Sequence, residues 1–559
     1  MSYDPTRFQQ YVEHELTYVA GFRRNVRRYG DAVAVTEPVS GRTWTYAQLG
    51  ADVDRTATML AERGAGRGDA VVYQLYNGVE FALLYLATHS LGAVSVPINY
   101  RLAPAEISHI LRDSDPVVFV YDQECAPAAQ RALDLAGTSP AVLVVGPGGN
   151  GVQSFDAAVE QSGGGLQAVP LDGFSTYEET TRLYTSGTTG MPKGVALPSL
   201  VEVMTAHDVI MHFPLTPADR TLNMTPWFHR GGLHSGGPTP AFYIGASVAP
   251  MRAFDAATVL DWVGEHSLTF LIGAPTTLEM LAAEQEREPR DLGTLNGIVT
   301  MGAPLDRAAA LRYQQVLTPR IFNGYGTTEA FWNTFLRPED LPDRAGTAGR
   351  ACTDDDVAVV KVFEDRRAAP DELVAQDGVE AGELIMRSPK SGYSYVNLPG
   401  LEEEKFHDGW LYPGDMATWD ADGYVTILGR KDDMILSGGE NVHPVQVEAA
   451  LADHPDVANS VVVGVPDERW GQRIVAYVVR RDGVVGVDEL DAFCRGHDAL
   501  ADFKRPRAYR FVDEVPLTAT GKKMHFKVVE QAVQDDRDGL LESPARSTGE
   551  APVGMERRG

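Results

Sequence analysis

The stretch Tyr184-Thr185-Ser186-Gly187-Thr188-Thr189-Gly190-Met191-Pro192-Lys193-Gly194-Val195 decides how the rest of the chain is read. Gly187, Gly190 and Gly194 permit tight turns and close approach of a ligand to the backbone. The hydroxyls of Ser186, Thr188 and Thr189 can donate to phosphate oxygens, and Lys193 adds a point charge. The spacing is not that of a Walker A loop, because no glycine immediately precedes the lysine and no Ser or Thr follows it. Clusters of Gly, Ser and Thr are more often solvated turns. Hydroxyls, glycines and a lysine crowded into one short stretch point instead to a phosphate-holding loop.

Composition bounds what surrounds that loop. At 559 residues the chain is too long for one core, and roughly two to four domains are expected. A hydrophobic content of 44% fits a globular protein rather than a disordered one. The net charge of −28 argues against nucleic-acid or membrane-surface partners, so the cations that meet a polyphosphate must be placed locally. Cys125, Cys352 and Cys494 lie far apart with no CxxC, which suggests neither a disulfide framework nor a zinc site; buried thiols are expected. The start, MSYDPTRFQQYVEHELTYV, does not read as a signal peptide. The apolar run at 81–97 is broken by His89, Ser90 and Gly92, so a buried helix and a strand are expected rather than a membrane span. A cytoplasmic location follows by elimination.

Upstream of the loop, residues 1–30 read as helix. Strands at 69–75, 93–97 and 117–121 then alternate with helices at 47–64, 79–90 and 104–111, without hairpin signals. That pattern predicts a parallel sheet covered by helices. Residues 137–170, with GPGGNG and SGGGL, read as loop around a short helix.

Downstream comes Met224-Thr225-Pro226-Trp227-Phe228-His229-Arg230-Gly231-Gly232. Gly273-Ala274-Pro275-Thr276 and Val299-Thr300-Met301-Gly302-Ala303-Pro304-Leu305 read as strand ends running into turns, where open α/β sheets place ligands. Asn323-Gly324-Tyr325-Gly326-Thr327-Thr328-Glu329 follows a β-type run. A carboxylate there suits Mg²⁺, which binds through one or two carboxylates plus phosphate oxygens. Phe331 and Trp332 can wall a pocket or simply pack a core. A Pro413-Gly414 turn is expected to present Asp415, for a ligand or merely for the turn. Near 430 the composition shifts to a compact unit: helix 445–452, strands 460–463 and 474–479, helix 487–494, strand 509–512. The expected domains are 1–429, a hinge at 430–433, a small domain at 434–533, and a disordered tail at 534–559.

The phosphate loop and these motifs, in this order over about residues 20–530, resemble the adenylate-forming (ANL) superfamily and its acyl- and aryl-CoA synthetase branch. The C-terminal motifs resemble the chlorobenzoate CoA ligase-like enzymes most closely. The resemblance implies an α/β fold: a large N-terminal domain with parallel-rich sheets covered by helices, plus a small mobile α+β C-terminal domain. It implies that Thr185, Ser186, Gly187, Thr188, Thr189, Gly190 and Lys193 hold the phosphates of ATP. Gly302, Ala303 and Pro304 would lie against adenine, with Tyr325 beside Gly326 stacked on it. Thr328 would meet the α-phosphate, Glu329 Mg²⁺, and Asp415 and Arg430 the ribose. Asp432 would be the hinge, and Lys522 in Pro516-Leu517-Thr518-Ala519-Thr520-Gly521-Lys522 the catalytic lysine. His229 would border the substrate carboxylate.

Coenzyme A is implied by a second set. Trp470, Phe503 and Arg505 match residues that meet the CoA nucleotide, although core packing and a solvated arginine fit equally well. Arg101 matches a CoA-phosphate contact or is a surface arginine. Gly438 and Gly439 offer a narrow backbone surface for a pantetheine arm.

Two departures bear on the acid. Ala196-Leu197-Pro198-Ser199-Leu200 stands where many relatives carry Thr-His. Arg230, beside Gly231, occupies a position that is often apolar; it would pair with a second polar group on the substrate or form a salt bridge turned away from it. The expected enzyme is an AMP-forming acid–CoA ligase for an aryl or compact acid. Its expected ligands are that acid, ATP, Mg²⁺ and CoA, with no nucleic acid or membrane, and a homodimer is left open. Two rivals remain: an adenylating enzyme serving a carrier protein, an amine or a diazo-forming partner, and a non-catalytic nucleotide-binding regulator.

Overall fold

The structure is a computed structural model. It describes residues 5–149, 151–163, 173–185, 191–363, 365–437, 440–467, 470–481, 485–497, 500–517 and 522–544, with the side chain of 441 excepted. Ser186, Gly187, Thr188, Thr189, Gly190, Gly438 and Gly439 therefore lie outside the described residues. The chain forms two compact units. One comprises Met1–Glu380, Leu384–Pro413 and Trp419–Thr426, and the other Ala381–Glu383, Gly414–Thr418 and Ile427–Gly559. Strands Gly382–Arg387, Trp410–Trp419 and Val425–Arg430 each carry residues of both.

In the large unit, eight described strands form one sheet in the order Ser394–Tyr395, Lys193–Pro198, Glu179–Thr185, Val94–Pro97, Ala70–Gln74, Val118–Asp122, Ala141–Val145 and Gln153–Ser154. The middle strands are parallel, as the alternation of strand and helix demands. Helix Tyr46–Ala61 starts on a capping box: Thr45 Oγ1 accepts from the Gln48 amide and Gln48 Oε1 from the Thr45 amide. Helix Val79–Ser90 is buried almost all round, which is why it has no polar stripe. Among the described residues no helix is long and apolar enough to cross a membrane.

Two features correct the sequence reading. Ala141–Val145, inside the stretch expected to be loop, is a strand parallel to Val118–Asp122; its short apolar run is masked in sequence by the Gly and Pro around it. The phosphate-loop stretch is the turn of an antiparallel hairpin, with Thr185 opposite Lys193 and Leu183 opposite Val195.

A second sheet of nine described strands carries the other motifs. Its order is Arg350–Ala351, Phe331–Leu336, Ile321–Thr327, Gly297–Met301, Phe270–Gly273, Arg220–Asn223, Ser247–Val248, Val33–Thr36 and Thr43–Thr45. From Ile321–Thr327 to Arg220–Asn223 the strands are parallel, so their carboxyl ends share one edge.

The small unit is an α+β body. Its sheet runs Glu440–Val442, Ile435–Ser437, Gly471–Arg480 and Val457–Asp467, with Ala508–Phe511 parallel to Gly471–Arg480. Helices Pro444–Ala452, Val487–Gly496 and His525–Arg537 accompany it. The tail expected from 534 is corrected: the last helix reaches Arg537, Asp535 is buried, and Tyr509 and Glu542 exchange backbone hydrogen bonds of 2.7 and 2.8 Å. Residues 545–559 lie outside the described set. The expected Pro413-Gly414 turn is also corrected, since both residues sit inside strand Trp410–Trp419, with Gly414 at φ +87°. Glycine tolerates that conformation without strain.

Candidate active site

Four parallel strands of the nine-stranded sheet deliver the candidate loops to one edge. Asn223 ends the strand that leads to His229, Gly273 the strand before Pro275, and Met301 the strand before Gly302-Ala303-Pro304. Thr327 ends the strand before Thr328-Glu329. The Asn223 amide holds the first loop closed. Its Nδ2 donates to the carbonyls of Gly231, Gly232 and Ser235 at 3.1, 3.1 and 2.9 Å, and its Oδ1 accepts from the Thr225 amide. A Cβ at Gly231 would lie 3.0 Å from Met301 Sδ, so that loop lies close against the end of the strand leading to Gly302. Gly302 has φ +88°, which lets the chain turn directly off its strand.

Thr328 and Glu329 are held by their carbonyls. Arg230 Nη1 donates to the Thr328 carbonyl, and the Gly392 amide donates to the Glu329 carbonyl at 2.7 Å. The Tyr395 hydroxyl donates to Glu329 Oε1 at 2.6 Å. Tyr395 in turn pairs with Val195, and the Val396 amide donates to the Gly194 carbonyl at 2.9 Å. The strand leaving the phosphate loop is thus tied to the residue that orients the Glu329 carboxylate. Half-buried Glu329 is a hard oxygen donor fixed at one oxygen, which fits Mg²⁺. Gly326 is forced by packing, because a Cβ there would meet the Phe331 carbonyl oxygen at 1.5 Å.

Arg230 departs from both sequence expectations. It is 4% exposed; its Nη2 donates to the Lys390 carbonyl at 2.6 Å and its guanidinium lies 5.5 Å from the centre of the Phe331 ring. It makes no ion pair within 4 Å among the described residues. Burial pushes its pKa down to about 10, against Glu202 and Glu329, which favour the charged form. Both Nη atoms are engaged on backbone carbonyls rather than turned to a ligand. Trp332 is core: it is 2% exposed, packs edge-on against Phe213, and gives its indole N–H to Asp208. Phe331 is buried beside it at 4% exposure. His229 is half-buried, stacks against Phe228 at 4.3 Å between centroids and precedes helix Arg230–His234. Arg101 is a surface arginine over Tyr100.

In the small unit, Arg430 Nη1 donates to Asp415 Oδ1 at 2.8 Å, which puts the two expected ribose residues together. Asp432 is exposed in the turn between strands Val425–Arg430 and Ile435–Ser437. Lys522 is exposed at the end of a loop closed by a bridge between Leu517 and Lys523. The CoA set splits. Phe503 is 41% exposed and Trp470 is half-buried with Arg507 5.9 Å from its ring, so neither is a core residue. Arg505 as a phosphate contact is corrected: it is 2% exposed and paired with Asp491 and Asp502. A guanidinium already neutralised and buried is poorly placed for a phosphate.

The description "AMP-binding enzyme" fits residues 22–396 as a family, and its C-terminal domain fits residues 446–522. The chain belongs to the AMP-binding enzyme family. Indoleacetate–CoA ligase of Aromatoleum aromaticum is 33% identical over 86% of this chain and 92% of its own. 4-Chlorobenzoate–CoA ligase of Arthrobacter is 31% identical over 89% and 92%. The solved anthranilate CoA ligase AuaEII, in complex with anthranoyl-AMP, superposes with a TM-score of 0.84 at 26% identity, covering 93% of this chain and 98% of that one. The protein is an AMP-forming acid–CoA ligase with the two-domain α/β fold of the ANL enzymes.

This AMP-binding enzyme carries site residues that sequence reasoning missed. Asn223, Tyr395 and Lys390 bear no motif of their own; each acts through backbone groups of distant segments. Arg507 escaped because Arg505 drew the resemblance. Only Tyr395 left a signal, an aromatic on a short strand two residues before Asn397.

Proposed function

We propose that this ligase activates an aryl or similarly compact carboxylic acid and transfers it to CoA, with the roles that follow. The observation that carries the reading is the tie from Gly194 and Val195, at the exit of the phosphate loop, through Tyr395 to the Glu329 carboxylate. It brings the segment expected to grip phosphates and the residue expected to hold Mg²⁺ into one frame. The compact acid is supported by the bulk behind His229: Arg230, Phe331 and Trp332 are all buried. Relatives named for indoleacetate, 4-chlorobenzoate and anthranilate are in keeping with it.

In the first half-reaction a carboxylate oxygen attacks the α-phosphorus of ATP, the bond to the bridging oxygen breaks, and pyrophosphate leaves. Thr328 and the phosphate loop orient the phosphates, His229 borders the carboxylate, and Asp415 with Arg430 takes the ribose. Charge grows on oxygens that are already anionic, and the Lys522 ammonium stabilises it. Mg²⁺ held at Glu329 would neutralise phosphate charge. In the second half-reaction the CoA sulfur forms its bond to the acyl carbon as the bond to the AMP oxygen breaks. The small domain turns about Asp432 between the halves, withdrawing Lys522 and presenting Trp470 and Phe503 to the CoA nucleotide. We place the reaction in the cytoplasm.

The test is a panel of aryl, aliphatic and dicarboxylic acids, with AMP release followed with and without CoA and the thioester detected by mass. Aryl or compact acids are expected to give CoA-dependent AMP release. Turnover that CoA never accelerates would reduce the reading to adenylation alone. Preference for long-chain acids would overturn the compact pocket.

A further inference from the structure

We propose that Arg230 and Lys390 together form a positioning device that fixes the Thr328-Glu329 dipeptide for nucleotide and Mg²⁺ and makes no contact with substrate. This rests on the function proposed above. Lys390 is 1% exposed in its side chain, with Nζ 3.0 Å from Asp208 Oδ2 and 2.8 Å from Asp355 Oδ2. Asp208 belongs to helix Ser199–His212, and Asp355 to the turn that follows strand Arg350–Ala351. The ammonium therefore pins segment 388–392 to two distant elements. Two neighbours of Glu329 reinforce the node: the Trp332 indole donates to Asp208, and Asn333 Nδ2 to Asp355 Oδ2 at 3.0 Å.

From that pinned segment the grip passes to the dipeptide twice. Arg230 bridges the carbonyls of Lys390 and Thr328, and Gly392 donates to the carbonyl of Glu329. Tyr395, a few residues on, orients the Glu329 carboxylate itself.

The charges have little to recommend them as glue. A buried ion cluster replaced by packed apolar residues is often as stable or more so, so its presence calls for a role in geometry. A metal role is the other candidate, because ligand atoms of Asp208, His212 and Cys352 lie within 4.8 Å of one another. The donors are already taken: Lys390 holds Asp208, and Arg337 Nη2 stands 2.8 Å from His212 Nδ1. An aligned carboxylate is what a Mg²⁺ site needs, since the ion tolerates little departure from octahedral geometry.

The experiment compares wild type with Arg230→Met, Arg230→Lys and the charge-balanced pair Lys390→Met/Asp355→Asn. Folding is checked by circular dichroism, and ATP affinity is measured by calorimetry with and without Mg²⁺. Adenylation is followed by pyrophosphate exchange, and thioester formation from acyl-adenylate supplied directly. Arg230→Met is expected to bind ATP alone as wild type does, but to lose about 10- to 100-fold of the Mg²⁺-dependent affinity and of the adenylation rate. Thioester formation and the KM for the acid should stay unchanged, and Arg230→Lys should fall between. Folded variants with wild-type Mg²⁺ dependence would overturn the proposal, as would an effect confined to the KM for the acid. If Arg230→Met fails to fold, Arg230→Lys and the charge-balanced pair decide by the same readouts. A wild type that adenylates no acid would fail the function proposed above, while the Mg²⁺ dependence of ATP binding would still judge this one.

Discussion

Each unit keeps a buried ion cluster next to a charge the reaction needs, and the two clusters are built differently. In the large unit, Lys390, Asp208 and Asp355 are almost wholly enclosed, and their neighbours grip the carbonyls of both Thr328 and Glu329. In the small unit, Glu448 accepts from the Val462 amide at 2.8 Å, from Lys523 Nζ at 2.7 Å and from His525 Nε2 at 2.7 Å. That cluster holds Lys523, while Lys522 beside it is exposed. A carboxylate meant to bind a metal is fixed through its own backbone. An ammonium meant to come and go is anchored only one residue away.

The difference is broken most forcefully in the large unit. Lys390→Met strands two buried carboxylates, and an expected loss of about 3–5 kcal/mol should appear in urea unfolding. Lys523→Met removes one of several partners of Glu448, from a side chain 28% exposed, and about 1–3 kcal/mol is expected. Equal losses would mean that the two clusters are equivalent.

Next in size is the ammonium itself. Lys522→Ala should slow adenylation about 10²- to 10³-fold, the cost of losing one electrostatic donor to the transition state. Thioester formation from supplied acyl-adenylate should be spared. Adenylation as fast as wild type would remove Lys522 from the chemistry and with it the reason for the contrast.

A smaller effect separates the faces of the small unit. Phe503→Ala should raise the KM for CoA by the equivalent of about 1–3 kcal/mol, the usual worth of an aromatic stacked on a base, and leave the KM for ATP alone. Arg507→Ala should also raise the KM for CoA. Arg505→Gln should instead lower stability, because it leaves Asp491 buried and unpaired.

How much of this was legible follows from which groups did the work. Strand ends with Gly-Pro or Gly-Thr-Thr turns announce themselves, so the loops after Gly273, Met301 and Thr327 were readable from local pattern alone. Strand Ala141–Val145 was not, because a short apolar run between glycines and prolines has no period to display. Lys390 read as one more surface lysine, since nothing local says that Asp208 and Asp355 close over it. Arg230 stood out by position, but its role depended on two carbonyls far away in sequence. Long-range pairing of ordinary residues is what a single sequence conceals.

The smallest effect tests whether the small unit's cluster is tuned by pH, which nothing in the large unit's cluster requires. His525 is faced by Glu448, Asp433 and Lys523. Burial alone would lower its pKa, but hydrogen bonding to Glu448 and the charges of Glu448 and Asp433 raise it above the ordinary value. The folded state therefore binds the proton more tightly than the unfolded chain. That contribution is fully present below about pH 6.5 and is lost as the pH climbs through the raised value. Glu448 bounds the other side. Burial would raise it, yet Lys523 and His525 bring it down to about 2, so its contribution is present above about pH 4.3 and fades as the pH falls toward that value. Hydrogen exchange in peptides covering helix His525–Arg537, corrected for intrinsic rate, should show protection falling on the alkaline side in wild type. In His525→Gln, which keeps a donor toward Glu448, that alkaline decline should flatten while the acid limb remains. An unchanged alkaline decline in His525→Gln would assign it to another group and leave the anchor beside Lys522 insensitive to this proton.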